Sequence, residues 1–137
     1  MIIKSTTGVA NFSIELKTIN CSPGQHPTLA FNFSAENQDY FGRIHDAWFH
    51  KADLQAFILE LEQLFSQQKS VIQFKAFSEF WLRIEQINST GQLNFRAHIE
   101  SFATNSILEI EIDSDLSIID SMKSYFLEII SQTESKL

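Results

Sequence analysis

The sequence predicts an α+β fold, with a single antiparallel sheet of about seven strands and two amphipathic helices packed on one face, in the order βββ-α-ββββ-α. Seven segments alternate apolar with polar residues, which is the period of a strand with one buried face. Two longer segments carry apolar residues at i, i+3, i+4 and i+7, the period of an amphipathic helix. Neither a linker nor an internal repeat interrupts them, so we expect residues 1–137 to form a single domain.

Three strands are expected before the first helix. Apolar and polar residues alternate from Asn11 to Lys17 and again from Leu29 to Phe33. Between them, the prolines and glycine of CSPGQHP (Cys21 to Pro27) predict a loop. The third strand is YFGRIHDAWF (Tyr40 to Phe49), and the alternation leaves its inward face open. The two possible inward sets are Ile44 with Trp48 and Phe41 with Phe49.

The first helix begins near Lys51, where the apolar period changes from that of a strand to that of a helix. Asp53 near its start suits the positive end of the helix dipole, and the helix should fray from Gln67 to Lys69. Its apolar stripe consists of Leu54, Phe57, Ile58, Leu61, Leu64 and Phe65.

Four strands and a second helix follow. The turn NSTG (Asn88 to Gly91) predicts a hairpin between the second and third of these strands. Ser114 or Asp115 could cap the last helix, which should extend to about Ser131. The strands are VIQFKAF (Val71 to Phe77), EFWLRIEQI (Glu79 to Ile87), QLNFRAHIE (Gln92 to Glu100) and ILEIEID (Ile107 to Asp113).

The stretch FWLRIEQ (Phe80 to Gln86) carries a tryptophan on its polar face. In a strand, Trp81, Arg83 and Glu85 point away from the apolar side chains. Because Trp and Arg most often dominate binding at protein interfaces, we predict a partner-binding surface on this face. Alternatively, a loop covers Trp81, or it packs on an arginine as a surface cation–π pair. The predicted surface consists of Trp81, Arg83, Glu85, Arg96, His98, Glu100, Glu109 and Glu111.

Ten basic and seventeen acidic residues give the chain a formal net charge of -7. A nucleic acid or an anionic membrane would require clustered Lys and Arg, so we expect neither as a partner. A run of acidic residues without a base is either a solvated strand edge and helix start, or a surface for a basic partner. This run consists of Glu109, Glu111, Asp113, Asp115 and Asp120.

Motifs for catalysis and cofactor binding are absent from the sequence. It contains no GxGxxG, GxxxxGK[ST], HExxH or GxSxG, so we expect no catalytic residue, no cofactor and no enzyme activity. Cys21 is the only cysteine, which excludes an internal disulfide. One polar cluster crosses a strand-to-helix boundary, so its spacing predicts no metal site. This cluster consists of His45, Asp46, His50 and Asp53.

Targeting segments are not evident. The first residues, MIIKSTTGVANFS, lack the apolar run of a signal peptide. No run approaches the roughly 20 apolar residues that a membrane helix needs. We therefore expect a cytoplasmic protein.

Three segments resemble the small bacterial immunity proteins of the WapI-like group, which accompany polymorphic contact-dependent toxins. They are DAWFHKADLQAFILELEQL (Asp46 to Leu64), FWLRIEQINSTGQLNFRAHIE (Phe80 to Glu100) and LEIEIDSDLSIIDSMKSYFLEII (Leu108 to Ile130). The resemblance implies a cytoplasmic, non-catalytic protein that binds and neutralises a cognate toxin domain. An acidic surface suits a basic toxin such as a nuclease, because opposite charges steer association.

Two other classes of function remain open. A curved sheet with a Phe-rich interior could enclose a small-ligand pocket, since thirteen residues are phenylalanine. An enzyme site could also be assembled from dispersed residues such as His98, Glu100 and Asp46. A pocket of several hundred Å3 would favour the first class, and titratable groups converging in a cleft would favour the second.

Overall fold

The computed structural model of the chain describes residues 1–77, 80–88, 90–101 and 106–135. Within these residues, eight strands and two helices follow one another in the order ββββ-α-ββββ-α. The strands are β1 (Ile2–Lys4), β2 (Asn11–Asn20), β3 (Thr28–Glu36), β4 (Phe41–His50), β5 (Val71–Lys75), β6 (Phe80–Gln86), β7 (Gln92–Ser101) and β8 (Ser106–Asp115). The helices are α1 (Lys51–Phe65) and α2 (Ser117–Ser135).

The strands form two four-stranded antiparallel sheets, which we call sheet A (β1-β2-β3-β4) and sheet B (β5-β6-β7-β8). The predicted α+β class, the antiparallel pairing and the two helices are confirmed. The predicted single sheet of about seven strands and the order βββ-α-ββββ-α are wrong, since β1 precedes the predicted strands and α1 separates two sheets. Alternation shows which face of a strand is buried but does not identify its neighbour, so one sheet and two sheets give the same pattern.

Both sheets and both helices share one hydrophobic core, so the helices do not simply cover one face of a single sheet. Two ring contacts join the sheets. Phe33 of β3 lies 4.2 Å from Phe80 of β6 between ring centroids, and Phe49 of β4 stacks on Phe74 of β5 at 4.0 Å. Phe126 of α2 then contacts Phe74 at 5.8 Å, and these contacts place the helices in the same core as the sheets.

The sheets also approach each other closely at Gly42 of β4. A Cβ atom on this glycine would lie 2.0 Å from Cδ2 of Leu108 on β8 and 3.4 Å from Cδ1 of Ile99 on β7. Carbon atoms in van der Waals contact are about 3.5–4.0 Å apart, so any side chain at this position would require Leu108 to move. Gly42 therefore allows sheet A to pack on the inner side of sheet B.

A β-bulge in β4 determines which of its residues point inward. The register with β3 shifts between the pairs Phe31–Ala47 and Phe33–Ile44, and Asp46 at this point has a φ of 60°. The extra residue reverses the alternation, so that Ile44 and Ala47 both point into the core. As a result each predicted set is half right: Ile44 and Phe49 are buried, whereas Phe41 is 58% exposed and Trp48 is half-buried on the outer side.

The helix starts follow the sequence closely. α1 begins at Lys51, and the side chain of Asp53 accepts a hydrogen bond from the backbone N–H of His50 at 3.4 Å. α2 begins at Ser117, whose backbone N–H donates to Oδ1 of Asp115 at 2.9 Å. In the described ranges, neither helix has the combination of length and apolar character that crossing a membrane requires. Glu79 and Ser89 of the predicted hairpin lie outside the described residues.

Candidate functional site

On the outward side of sheet B, aromatic, basic and acidic side chains lie next to one another in rows. The register aligns residues of neighbouring strands into rows that cross the sheet. We call this surface the Trp81 face. It consists of Val71, Gln73, Lys75, Trp81, Arg83, Glu85, Asn94, Arg96, His98, Glu100, Glu109, Glu111 and Asp113.

The first row contains an aromatic stack. Trp81 on β6 lies opposite Lys75 on β5 and His98 on β7. The indole and imidazole rings are nearly parallel, with an angle of 6° between planes and 4.9 Å between centroids. Trp81 is half-buried, and among the described residues the ring that stacks on it is that of His98. This stack holds the indole in one orientation on a rigid sheet.

Carboxylates fix the His98 ring in place. Nδ1 of His98 lies 2.9 Å from Oε1 of Glu109, and Nε2 lies 3.5 Å from Oε2 of Glu100. The imidazole is only 15% exposed, so it cannot turn freely. Of the three residues considered for a dispersed enzyme site, His98 and Glu100 therefore meet. Asp46 belongs to sheet A, where its Oδ1 lies 2.8 Å from Nζ of Lys17.

The second row places two arginines side by side. Arg83 on β6 is directly opposite Arg96 on β7, an arrangement that like charges disfavour. Arg96 is neutralised by Glu111, with 2.6 Å between Nε and Oε1, and this hydrogen bond and the carboxylate charge raise the pKa of Arg96. Arg83 is less well paired, because its Nη2 is 3.7 Å from Oε2 of Glu85. In the described part of the chain, its Nε is the one buried side-chain nitrogen or oxygen without a hydrogen-bond partner.

The acidic residues of β8 bond to the donors of β7. The pairs His98–Glu109 and Arg96–Glu111 continue with Asn94, whose Nδ2 donates to Oδ1 of Asp113 at 3.1 Å. Glu109, Glu111 and Asp113 of the acidic run thus lie on an edge strand and accept hydrogen bonds within the sheet. Of the two interpretations of the acidic run, these contacts favour a strand edge over a free surface for a basic partner.

All eight residues of the predicted partner-binding surface share the Trp81 face, although their binding role stays a prediction. Lys75 was missed, because its position beside Trp81 depends on the pairing of β5 with β6. The signal was present in VIQFK, where Ile72 and Phe74 point inward and leave Lys75 outward.

The described residues contain no cluster suited to a metal ion, but they do form a cavity of the size that a small ligand needs. No group of three or more His, Cys, Asp or Glu side chains there could hold a metal ion. The phenylalanine rings pack against one another, and Phe57, for example, stacks on Phe74 at 4.6 Å. A cavity of about 370 Å3 at the start of α1 is lined by polar residues such as His26 and His50 together with Pro27 and Ala52. It has the size named above for a small ligand, but the phenylalanine rings do not line it.

The chain shares its fold with solved structures of plant proteins. The plant transcriptional regulator PBF-2 is 14% identical, with a TM-score of 0.56, and the match covers 95% of this chain and 86% of that one. WHY3 and WHY1 from Arabidopsis thaliana are each 12% identical, with TM-scores of 0.53 and 0.54. Those matches cover 95% of this chain and 85% and 81% of theirs. No family model and no curated protein matches the sequence.

These structural matches overturn the predicted function. The architecture that suggested a toxin-neutralising immunity protein is the architecture of a plant transcriptional regulator, so the predicted toxin partner and the exclusion of nucleic acid are both wrong. The resemblance depended on element order and apolar spacing, which specify a fold and do not specify a partner. The exclusion depended on charge, and the Trp81 face is itself acidic, with three basic side chains against five carboxylates. It overlooked base stacking on aromatic side chains, which does not require a net positive charge.

Proposed function

We propose that the chain binds single-stranded nucleic acid on the Trp81 face. The observation that carries this proposal is the parallel stack of Trp81 on His98, with Arg83 in the next row. An aromatic ring fixed on a sheet can stack on an unpaired base, which is worth about 1–3 kcal/mol per base. Lysine and arginine beside the ring can contact the phosphates.

The fold supports this type of ligand. A solved structure with the same architecture is that of a transcriptional regulator, a class of protein that acts on nucleic acid. Apart from Phe65, which is exposed, the apolar stripe of α1 is buried in the core, as are Ile119, Met122 and Phe126 of α2. Sheet B presents a broad polar surface on its other side. Flat sheets with aromatic residues bind single strands, because the bases of a duplex are stacked on each other and hidden.

The charge of the face predicts how affinity depends on salt. Its basic side chains are Lys75, Arg83 and Arg96, and Arg96 already pairs with Glu111. Two or three phosphate contacts on a single strand give a slope of log K against log salt of about −1.4 to −2. Most of the affinity should therefore come from stacking, which a net charge of -7 does not prevent.

Fluorescence anisotropy tests the proposal with labelled oligonucleotides of about 15 nucleotides, a length within the range that one sheet-based binding domain covers. Single-stranded DNA and RNA should bind, and a duplex of the same sequence should bind at least about tenfold more weakly. Trp81→Ala should weaken single-strand binding by about 5- to 150-fold. Trp48→Ala, on the outer side of sheet A, is the matched control and should have little effect.

Two results would overturn the proposal. One is equal binding of duplex and single strand, and the other is full affinity in a folded Trp81→Ala protein. If Trp48→Ala abolished binding while Trp81→Ala did not, the binding surface would be on sheet A. Circular dichroism of both variants would show that each remains folded, since both side chains are only half-buried.

A further inference from the structure

The third row of the Trp81 face presents hydrogen-bond acceptors side by side. Glu85 on β6 is directly opposite Asn94 on β7. The amide nitrogen of Asn94 donates to Asp113 at 3.1 Å. Because an ionised carboxylate can only accept, this bond fixes which end of the amide faces β8 and leaves Oδ1 of Asn94 as an acceptor.

Glu85 adds two further acceptor oxygens. Its side chain is 47% exposed, so it is open to a ligand. The nearest charged group is Nη2 of Arg83, and at 3.7 Å it is beyond the distance of a normal hydrogen bond. The row therefore contains acceptors that a bound donor could satisfy.

We infer that Glu85 and Asn94 bind the exocyclic amino group of an unpaired base, and that the Trp81 face consequently prefers cytosine or adenine to thymine or uracil. This inference rests on the proposed function, because it requires a single strand on the same face. Opposite residues on antiparallel strands have Cβ atoms about 4.5–5.5 Å apart. One amino group that donates both hydrogens at about 2.9 Å needs two acceptors about 5 Å apart, a separation that side chains rising from such neighbouring Cβ atoms can reach.

The order of the rows suits a strand that follows β6. Glu85 is four residues from Trp81, which is about 13 Å along a β-strand. Arg83 lies between them. One base would stack on Trp81, a phosphate would contact Arg83, and a later base would place its edge against Glu85.

The chemistry of the base edges gives the preference. Cytosine carries an amino group at N4 and adenine at N6, whereas thymine and uracil carry the acceptor oxygen O4 at the corresponding position. An O4 facing Glu85 and Asn94 would set acceptor against acceptor. A matched base contact of this type discriminates by about tenfold.

Oligomers of deoxycytidine and deoxythymidine test the inference cleanly, because both bases are pyrimidines of similar stacking area. Anisotropy should show about tenfold tighter binding of the cytidine oligomer at neutral pH. Glu85→Gln should bring the ratio of the two affinities close to one, since a glutamine amide can turn its NH2 toward O4 of thymine. Glu128→Gln removes the same charge from an exposed position of α2 and should leave the ratio unchanged.

The possible outcomes distinguish a failure of this inference from a failure of the proposed function. Equal, tight binding of both oligomers would overturn this inference and leave single-strand binding intact. A cytidine preference that Glu85→Gln does not reduce would also overturn it, because the preference would then originate elsewhere. Binding of neither oligomer would overturn the proposed function and this inference together.

Discussion

The packing of sheet A on sheet B can be tested with one added methyl group. In Gly42→Ala the new Cβ would lie 2.0 Å from Cδ2 of Leu108 and 3.3 Å from its Cγ. Van der Waals contact needs about 3.5–4.0 Å, so the overlap is about 1.5–2 Å. The Leu108 side chain would have to rotate, and it is partly buried, which limits the rotamers available to it.

The expected loss of stability follows from two opposing terms. Overpacking a core typically costs about 1–3 kcal/mol. Replacing a glycine whose φ is not positive returns about 0.4–1 kcal/mol, because the unfolded chain loses conformational freedom. The free energy of unfolding should therefore fall by about 0.5–2 kcal/mol. At about 2.1 cal/mol/K per residue, this lowers the Tm by about 2–7 °C.

Thermal and urea denaturation of a double-mutant cycle measure this directly. Leu108→Ala should create space for the methyl group added by Gly42→Ala, so the double mutant should be more stable than the sum of the single effects by about 1 kcal/mol. Gly24→Ala is a useful control. Its φ is 76° and nothing lies within 4 Å of an added Cβ, so it should destabilise through backbone strain and show no coupling to Leu108. Additive effects of Gly42→Ala and Leu108→Ala would refute the close contact between the sheets.

Two further predictions concern α2 and the paired arginine. The hydroxyl of Tyr125 donates to the Ile14 carbonyl at 3.3 Å, and burial raises its pKa, so the free energy of unfolding should fall as the pH rises from about 10 through the raised folded-state pKa. Tyr125→Phe should lose this alkaline decline in melting experiments, and an unchanged slope would contradict the assignment. Glu111→Gln should free Arg96 for a phosphate and steepen the salt slope of single-strand binding by about 0.7, and an identical slope in both proteins would show that Arg96 makes no such contact.

The Trp81 face was largely predictable because its strands are regular. The hairpin of β6 and β7 alternates without a bulge, and its observed register sets Trp81 against His98. Its outward residues could therefore be assigned from a period of two. The ring stack and the carboxylate contacts of His98 could not, because they depend on side-chain rotamers and on the neighbouring β8.

Other features depend on information that alternation does not contain. Ile44 and Phe49 are five residues apart, and in a regular strand they would point to opposite sides. The bulge at Asp46 brings both into the core, which is why neither predicted inward set of β4 was complete. Alternation also does not show that the strands divide into two sheets. That division depends on the pairing partners of β4 and β5, which are tertiary contacts.

The sequential order of strands in each sheet has a consequence for how the chain folds. Within each sheet, every strand pairs with its neighbour in sequence, so both sheets can form from local hairpins at a small cost in loop-closure entropy. We expect docking of sheet A on sheet B to come last. Until then, each sheet would expose its phenylalanine face to water. In kinetic terms, Gly42→Ala should speed unfolding and leave the folding rate nearly unchanged, and slower folding would place the docking step before the barrier.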